Sequence, residues 1–434
     1  MSLTAGLAAI DITPPLGTHK VGWLKVIVSD QVLDPLFARC AVFQSDGEAI
    51  AFVQLDTLSV RAEDVAEMRR RIADRHDFPG GRVMISATHN HAGPAVISAG
   101  DVRRDAAYTE SMMEKVVSAF GEALANRREA ELGFGSVFEF NVAFNRRTVM
   151  RDGTVKTQCG FDDPMALYVE GPVDPEVAVL AVRSVGGEPL GLLVNFACHP
   201  THHGGGGALS AGFPGALARE MAGRGWPVTM FLNGAAGNII YQDYGRRTPP
   251  PGMERIGATL AGDVDRALEG MQYRKAVRLG SASRVIELPF RQITEDQVKG
   301  TARGAQRFID SAIYERMMPE LVERVRTRKA QPAEVQMHFM DEYAFAAVAA
   351  EYFVENGLRI KEQAYPTHAL VVEAANGMVG YVPHRAAFER GGYETTFGSH
   401  SCLAPEAGDL LADAAVDLIR RHAAACGSAC HMPR

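Results

Sequence analysis

Few cysteines, no basic excess and no long apolar run are the absences that first narrow this 434-residue sequence. The six cysteines, Cys40, Cys159, Cys198, Cys402, Cys426 and Cys430, are scattered, which excludes a dense disulfide framework and reads as reduced thiols. No stretch approaches the roughly 18 consecutive apolar residues that cross a bilayer, so no membrane span is expected. Lys and Arg number 45 against 52 Asp and Glu, a net charge of −7. Without a broad positive field the chain has little hold on a phosphate backbone, and nucleic acid is set aside as a partner. The opening MSLTAGLAAIDITPP lacks the basic stretch and long apolar core of a secretory leader. A cytoplasmic location is the resulting expectation.

What is present describes a globular chain with a sizeable core: 47% of residues are hydrophobic and 22% charged. Its length predicts two domains or one large α/β domain with insertions. Apolar, strand-like runs at 38–43, 49–56, 82–87, 177–183, 190–197 and 228–233 alternate with amphipathic stretches at 61–76, 108–127, 214–224 and 252–270. That alternation predicts an α/β fold, a central mixed β-sheet covered by helices. Residues 1–290 form the main region in this reading, and the charged segment 291–335 is a helical insertion or connector. Residues 336–425 complete the same catalytic domain, with strands at 343–349, 369–374 and 378–382 and a helix at 405–422. The end, 426–434, reads as a flexible tail, with a small metal clip of Cys426, Cys430 and His431 as the weaker alternative. Arg69, Arg70, Arg71 and the basic cluster at 324–329 read as solvated helix faces.

The stretch SATHNHAGPA at 86–95 carries the strongest chemical signal. It closes the apolar run Val83, Met84, Ile85, and on a continuing strand His89 and His91 would share one face. A second group follows another apolar run in GLLVNFACHPTHHGGGG, where His199 closes the strand and His202 and His203 lead into four glycines. Imidazole is a common zinc ligand, and two such groups at strand ends could meet at one metal. A catalytic zinc often adds a carboxylate, for which Glu351 and Glu373 both qualify. Cys198 alternates away from His199 and is assigned to the core. The turn NGAAGN at 233–238 has no P-loop lysine, but its amides could steady developing negative charge. The loop Gly204 to Gly207 could admit substrate beside His199 or move as a lid.

Set in order along the chain, AGLAAIDITPP, SATHNHAGP, FNRR at 144–147, VDPEVAVLAV, NFACHPT, NGAAGN and GYVPHRAAFERGGYE resemble the neutral, non-lysosomal ceramidase family over roughly residues 4–425. The likeness is to that family's N-terminal catalytic domain. It implies one Zn²⁺ per chain held by His89, His199, Glu351 and Tyr381, with Glu351 preferred to Glu373. It further implies that His91 moves a proton and that Arg146 orients a carboxylate or oxyanion, with Tyr381 lying in the reaction site. Where the family places a serine after the Gly-Asn turn, this chain has Ile239, Ile240 and Tyr241. A serine nucleophile is therefore not expected, nor is the C-terminal β-sandwich of the larger members. The expected activity is zinc-dependent cleavage of an amide in a small soluble molecule by activated water. Alternatives are a metal-dependent esterase or lactonase, an amidase for ceramide or another N-acyl lipid, and an inactive binding protein of the same fold. Such a ligand set also tolerates iron or manganese. The partner expected is a small-molecule substrate, with membrane attachment disfavoured and a homo-oligomer left open.

Overall fold

The computed structural model describes residues 3–246 and 248–426. The Cys430 and His431 of the proposed metal clip lie outside the described residues. Among the described cysteines none is bonded to another.

Eight principal strands make the larger sheet: β1 (Thr4–Asp11), β2 (Phe37–Ser45), β3 (Glu48–Leu55), β4 (Val83–Ala87), β5 (Arg128–Phe138), β6 (Glu176–Ser184), β7 (Pro189–Phe196) and β8 (Thr229–Asn233). They lie in the order β8-β7-β6-β5-β1-β2-β3-β4, with the short strand Tyr273–Arg274 paired beside β5. The pairs through the middle are antiparallel, and of these β2–β3 and β6–β7 are hairpins. Toward the two edges, β3 with β4 and β7 with β8 run parallel, each pair spanned by a longer connection. A second sheet, β9 (Leu279–Pro289), β10 (Ala330–Met340), β11 (Tyr343–Val348) and β12 (His368–Val372), is antiparallel except for the pair β11 and β12.

Alternation along these strands builds four layers. On the larger sheet, Cys40, Val42, Val53 and Ile85 pack against α1 (Ala62–His76) and α2 (Ala106–Ala125). Val179, Val194 and Phe231 pack against α3 (Gly212–Gly223) and α4 (Met253–Leu268). The opposite face, including Phe43, Phe52, Leu180 and Leu193, meets Met340, Phe345, Leu370 and Val372 of the second sheet. The outer face of that sheet, Val335, Met337, Phe339 and Val348, is closed by α5 (Ser311–Arg328), α6 (Val354–Ala364) and α7 (Ala407–Ala425). Phe52 anchors the sheet-to-sheet layer, its ring 5.0 Å from Phe345 and 5.1 Å from His338. Truncating so buried an aromatic costs about 3–5 kcal/mol. Burial pushes His338 down to about 4, and the neutral ring bonds the carbonyl of Ala51 across the layer.

The α/β class and a large mixed sheet agree with the reading from sequence, but its second cover is a sheet. β1, β5 and β9 escaped that reading because small or charged residues interrupt their apolar alternation, as in REAELGFGSVF and LGSASRVIELP. The segment 291–335 holds helices Glu295–Lys299 and α5 and ends inside β10, which begins at Ala330. Its basic cluster is not wholly a solvated face: Arg324 turns inward over the Phe290 ring at 5.9 Å. Of the Arg69–Arg71 run only Arg70 is a solvated face: Arg71 is largely buried between α1 and α2, paired with Glu67, Glu110 and Glu114, and Arg69 reaches Glu334 of β10.

Candidate metal centre

The parallel strand pairs of both sheets end at the same place, and the site is built from the loops that follow β4, β7, β8, β11 and β12. Ends of parallel strands are where α/β sheets leave a crevice. The His-x-His pair is not on a strand, however. β4 stops at Ala87, and His89 sits beyond it with φ of 65°. This left-handed backbone, uncommon outside glycine, turns the chain so that the two rings converge. His199 also lies past the end of β7, held by a bridge to Ile240.

The Nε2 atom of His89 is 2.9 Å from that of His199 and 3.3 Å from that of His91. The Glu351 carboxylate lies 3.2 Å from His89 Nε2 and 3.7 Å from His199 Nε2. Each ring's other nitrogen faces a backbone carbonyl: His89 Nδ1 that of Leu58, His91 Nδ1 that of Gly22, and His199 Nδ1 that of Ala236. A carbonyl can only accept, so each Nδ1 carries the proton in the neutral ring and each Nε2 presents a lone pair. Three lone pairs and a carboxylate oxygen thus converge on one point. Such a donor set repels itself unless a cation or shared protons lie among them, and carbonyl-anchored imidazoles are the usual supports of metal ligands. The residues fit a divalent ion.

Electrostatics within the cluster are sharply divided. Burial works against a charge on His89, yet the Glu351 carboxylate holds its affinity for a proton up. Burial and the neighbouring His89 push His91 down to about 3, and burial, His89 and Arg146 lower His199 well below the ordinary imidazole value. Burial opposes ionisation of Glu351, but His89 and the Tyr381 hydroxyl outweigh it and bring the carboxyl to about 2.

Glu351 and Tyr381 are register partners in a short parallel ladder, which sets their side chains next to each other. Arg146 Nη2 donates to the Tyr381 hydroxyl at 3.0 Å, and its Nε donates to Glu394 at 2.9 Å. Glu394 also accepts from Arg147 and Thr157. Fully buried, Glu394 was not assigned a role from sequence, although it closes the block GYVPHRAAFERGGYE.

Glu373 has a different position from Glu351. It accepts from the amides of Ala236 and Tyr352 and from the Asn233 side chain, and burial raises it to about 8. It ties the turn under His199 to the strand of Glu351. That bond also corrects the expectation for NGAAGN: the amides of Gly234, Ala236 and Gly237 are committed to Phe196, Glu373 and Tyr352 and do not face a substrate. Gly237 is needed there because a Cβ would stand 2.7 Å from the Glu351 carbonyl oxygen.

His202 stacks on Tyr241 at 3.8 Å and His203 is exposed, so neither joins the cluster. Cys198 is buried beside Val142, its thiol pushed up by desolvation. The Gly204–Gly207 loop is clasped by Lys20, whose ammonium donates to the carbonyls of His203, Gly206 and Ala208. Gly204 approaches both His91 and Trp23 closely, and the Trp23 indole N–H is buried without a partner.

No protein-family profile matches the chain, and no curated protein matches it by sequence. Solved structures do. The neutral ceramidase from Pseudomonas aeruginosa superposes with a TM-score of 0.75 at 19% identity, over 97% of this chain and 75% of that one. The chain has the neutral ceramidase fold. A ceramidase complexed with C2 gives the same TM-score at 16% identity, over 97% of this chain and 76% of that one. Among the described residues no helix is long and apolar enough to cross a membrane.

Proposed function

We propose that the chain is a metal-dependent hydrolase that cleaves an amide, with zinc held by His89, His199, Glu351 and Tyr381. The observation that carries this reading is the convergence of imidazole lone pairs from two distant loops on a single carboxylate. Ceramidase neighbours with the same fold support an amide as the bond broken. Bound at this centre, zinc supplies a water of lowered pKa and polarises the scissile carbonyl.

The protein's own groups do the rest. His91 Nε2, unprotonated while Nδ1 donates to Gly22, accepts the proton of the attacking water and returns it to the leaving amine. Arg146, fixed by Glu394, holds the Tyr381 hydroxyl and places positive charge beside the reacting carbonyl oxygen. Elemental analysis of protein purified without chelator, followed by rates on matched amides and esters, tests the proposal. Stoichiometric zinc with amide turnover supports it; metal-free active protein would refute it.

A second reading, cleavage of an N-acyl lipid, has its own observation. Phe161, Met165, Leu167 and Tyr168 are 42–50% exposed around the small sheet that begins at Arg147, next to Arg146. Apolar exposure of this kind suits a lipid tail or surface. Comparing short-acyl and long-acyl amides at equal monomer concentration separates the two readings.

A further inference from the structure

The segment 391–401, which brings Glu394 to Arg146, also lines a cleft of about 640 Å³ through Thr395, Thr396 and Phe397. Arg291 forms part of its wall and is only 6% exposed. Its guanidinium donates to the carbonyls of Leu403 and Thr395 and to the Ser401 hydroxyl, all neutral acceptors. Phe388 and Phe397 flank it at 4.9 and 5.9 Å. Three of its five N–H groups are so engaged, leaving two without an acceptor. Burial lowers the group to about 10, which still leaves it charged at neutral pH.

Arg303 also lines the cleft, while Arg307 and Arg324 lie outside its wall, Arg324 against the Phe290 ring; the hydrogen bonds of all three go to neutral acceptors. Arg303, exposed at the rim, donates to the Asp152 carbonyl; Arg307 donates to that of Val298; Arg324 reaches the Cys402 sulfur. Arg307 and Arg324 each keep a buried Nε without a partner. Glu406 is the one carboxylate residue on the described cleft wall. Buried positive charge without a counterion is unfavourable, and a bound anion would offset it.

We propose that this cleft binds an amphiphilic small anion, a carboxylate or phosphate head on an apolar body. The head meets the free edge of Arg291 and the rim Arg303, and the body lies against Phe290, Phe388 and Phe397. A cleft of this size suits a small organic ligand. Its occupant would rest on the segment that seats the reaction site, since the His400 carbonyl in that segment accepts the Tyr381 amide at 2.7 Å.

Calorimetric titration of the full chain with octanoate, octyl phosphate and octanamide tests this, before and after metal chelation. One anion per chain should bind, with the neutral amide at least tenfold weaker and chelation without effect. The tighter of the two anions identifies the head group. Arg303→Glu should weaken binding at least tenfold with an unchanged melting curve, and Arg291→Met should abolish it while Arg291→Lys restores part. Absence of binding at millimolar anion, equal affinity for octanamide, loss of binding on chelation, or an unaffected Arg303→Glu variant would each overturn the proposal.

Discussion

The Nε2 atoms of His89 and His199 lie 2.9 Å apart although 110 positions separate the residues. Two loops, each leaving a parallel strand of the larger sheet, meet there, and the second sheet delivers Glu351 to the same point. The proposed chemistry depends on this meeting, and its consequences can be separated by mutation.

Replacing His89 or His199 by alanine should remove bound metal and activity together. His91→Ala should retain the metal, because Glu351 contacts the other two rings, and should lower kcat by roughly 10²–10⁴ through loss of a general base. Metal content and kcat measured on the same preparations check both. Loss of metal from the His91 variant would show that three imidazoles hold the ion.

Ser210 is buried, donates to Asp34 and accepts the Gly212 amide at the start of α3. It holds a helix end and has no route to a substrate. Ser210→Ala should therefore cost about 1–3 kcal/mol of stability by leaving Asp34 Oδ2 without its donor, although Oδ1 keeps the Ala211 amide and Arg219, while leaving kcat nearly unchanged. A serine adduct trapped with an acylating inhibitor would contradict this.

Glu394 stands between two buried guanidinium groups, 2.9 Å from Arg146 and 2.8 Å from Arg147. Glu394→Gln removes the carboxylate that pairs with Arg146 and leaves Arg147 with Glu170 alone, so a loss of about 3–5 kcal/mol is expected. Arg146 would also shift relative to Tyr381, and kcat should fall by roughly 10² with metal retained. Thermal melts, steady-state rates and elemental analysis distinguish these effects.

Acid stability should depend on Glu176, at the start of β6. Burial alone would raise its pKa, but His368 and Lys361 outweigh it and bring the group to about 2. The folded value lies below the unfolded one of about 4.3. The stabilisation, about 1–3 kcal/mol, is therefore complete above that unfolded value and is lost as pH falls from about 4.3 toward 2. Lys361→Met, which removes a 2.8 Å ion pair, should lower the melting temperature at pH 7 and flatten its decline over that acid window.

Much of the frame was legible where an element is apolar on both faces, or on one face at helical period. The strands containing Val53, Ile85, Val194 and Phe231 are buried on both faces and announce themselves as unbroken apolar runs, and the helices that cover them by period. β9 did not, because one of its faces is exposed and carries Ser283, Val285 and Glu287, while Arg284 interrupts the packed face of Ala282, Ile286 and Leu288. Arg324 was misread for the converse reason: its charge suggests solvent, whereas its long side chain lies over Phe290.

By itself the sequence determined which residue types stand ready for chemistry: two histidine groups after apolar runs, an acid, a tyrosine and an arginine in ordered blocks, and no serine after the Gly-Asn turn. That much is local, since an apolar run and the loop behind it are neighbours in the chain. Only the tertiary structure decided that Glu351 faces the imidazoles while Glu373 braces the turn beneath them, and that Arg291 and Arg303 line a cleft on which Glu406 is the one described carboxylate residue. Those outcomes depend on how two sheets stack and which loop amides are already bonded. Burial and distance between remote segments set them, and no spacing along the chain encodes either.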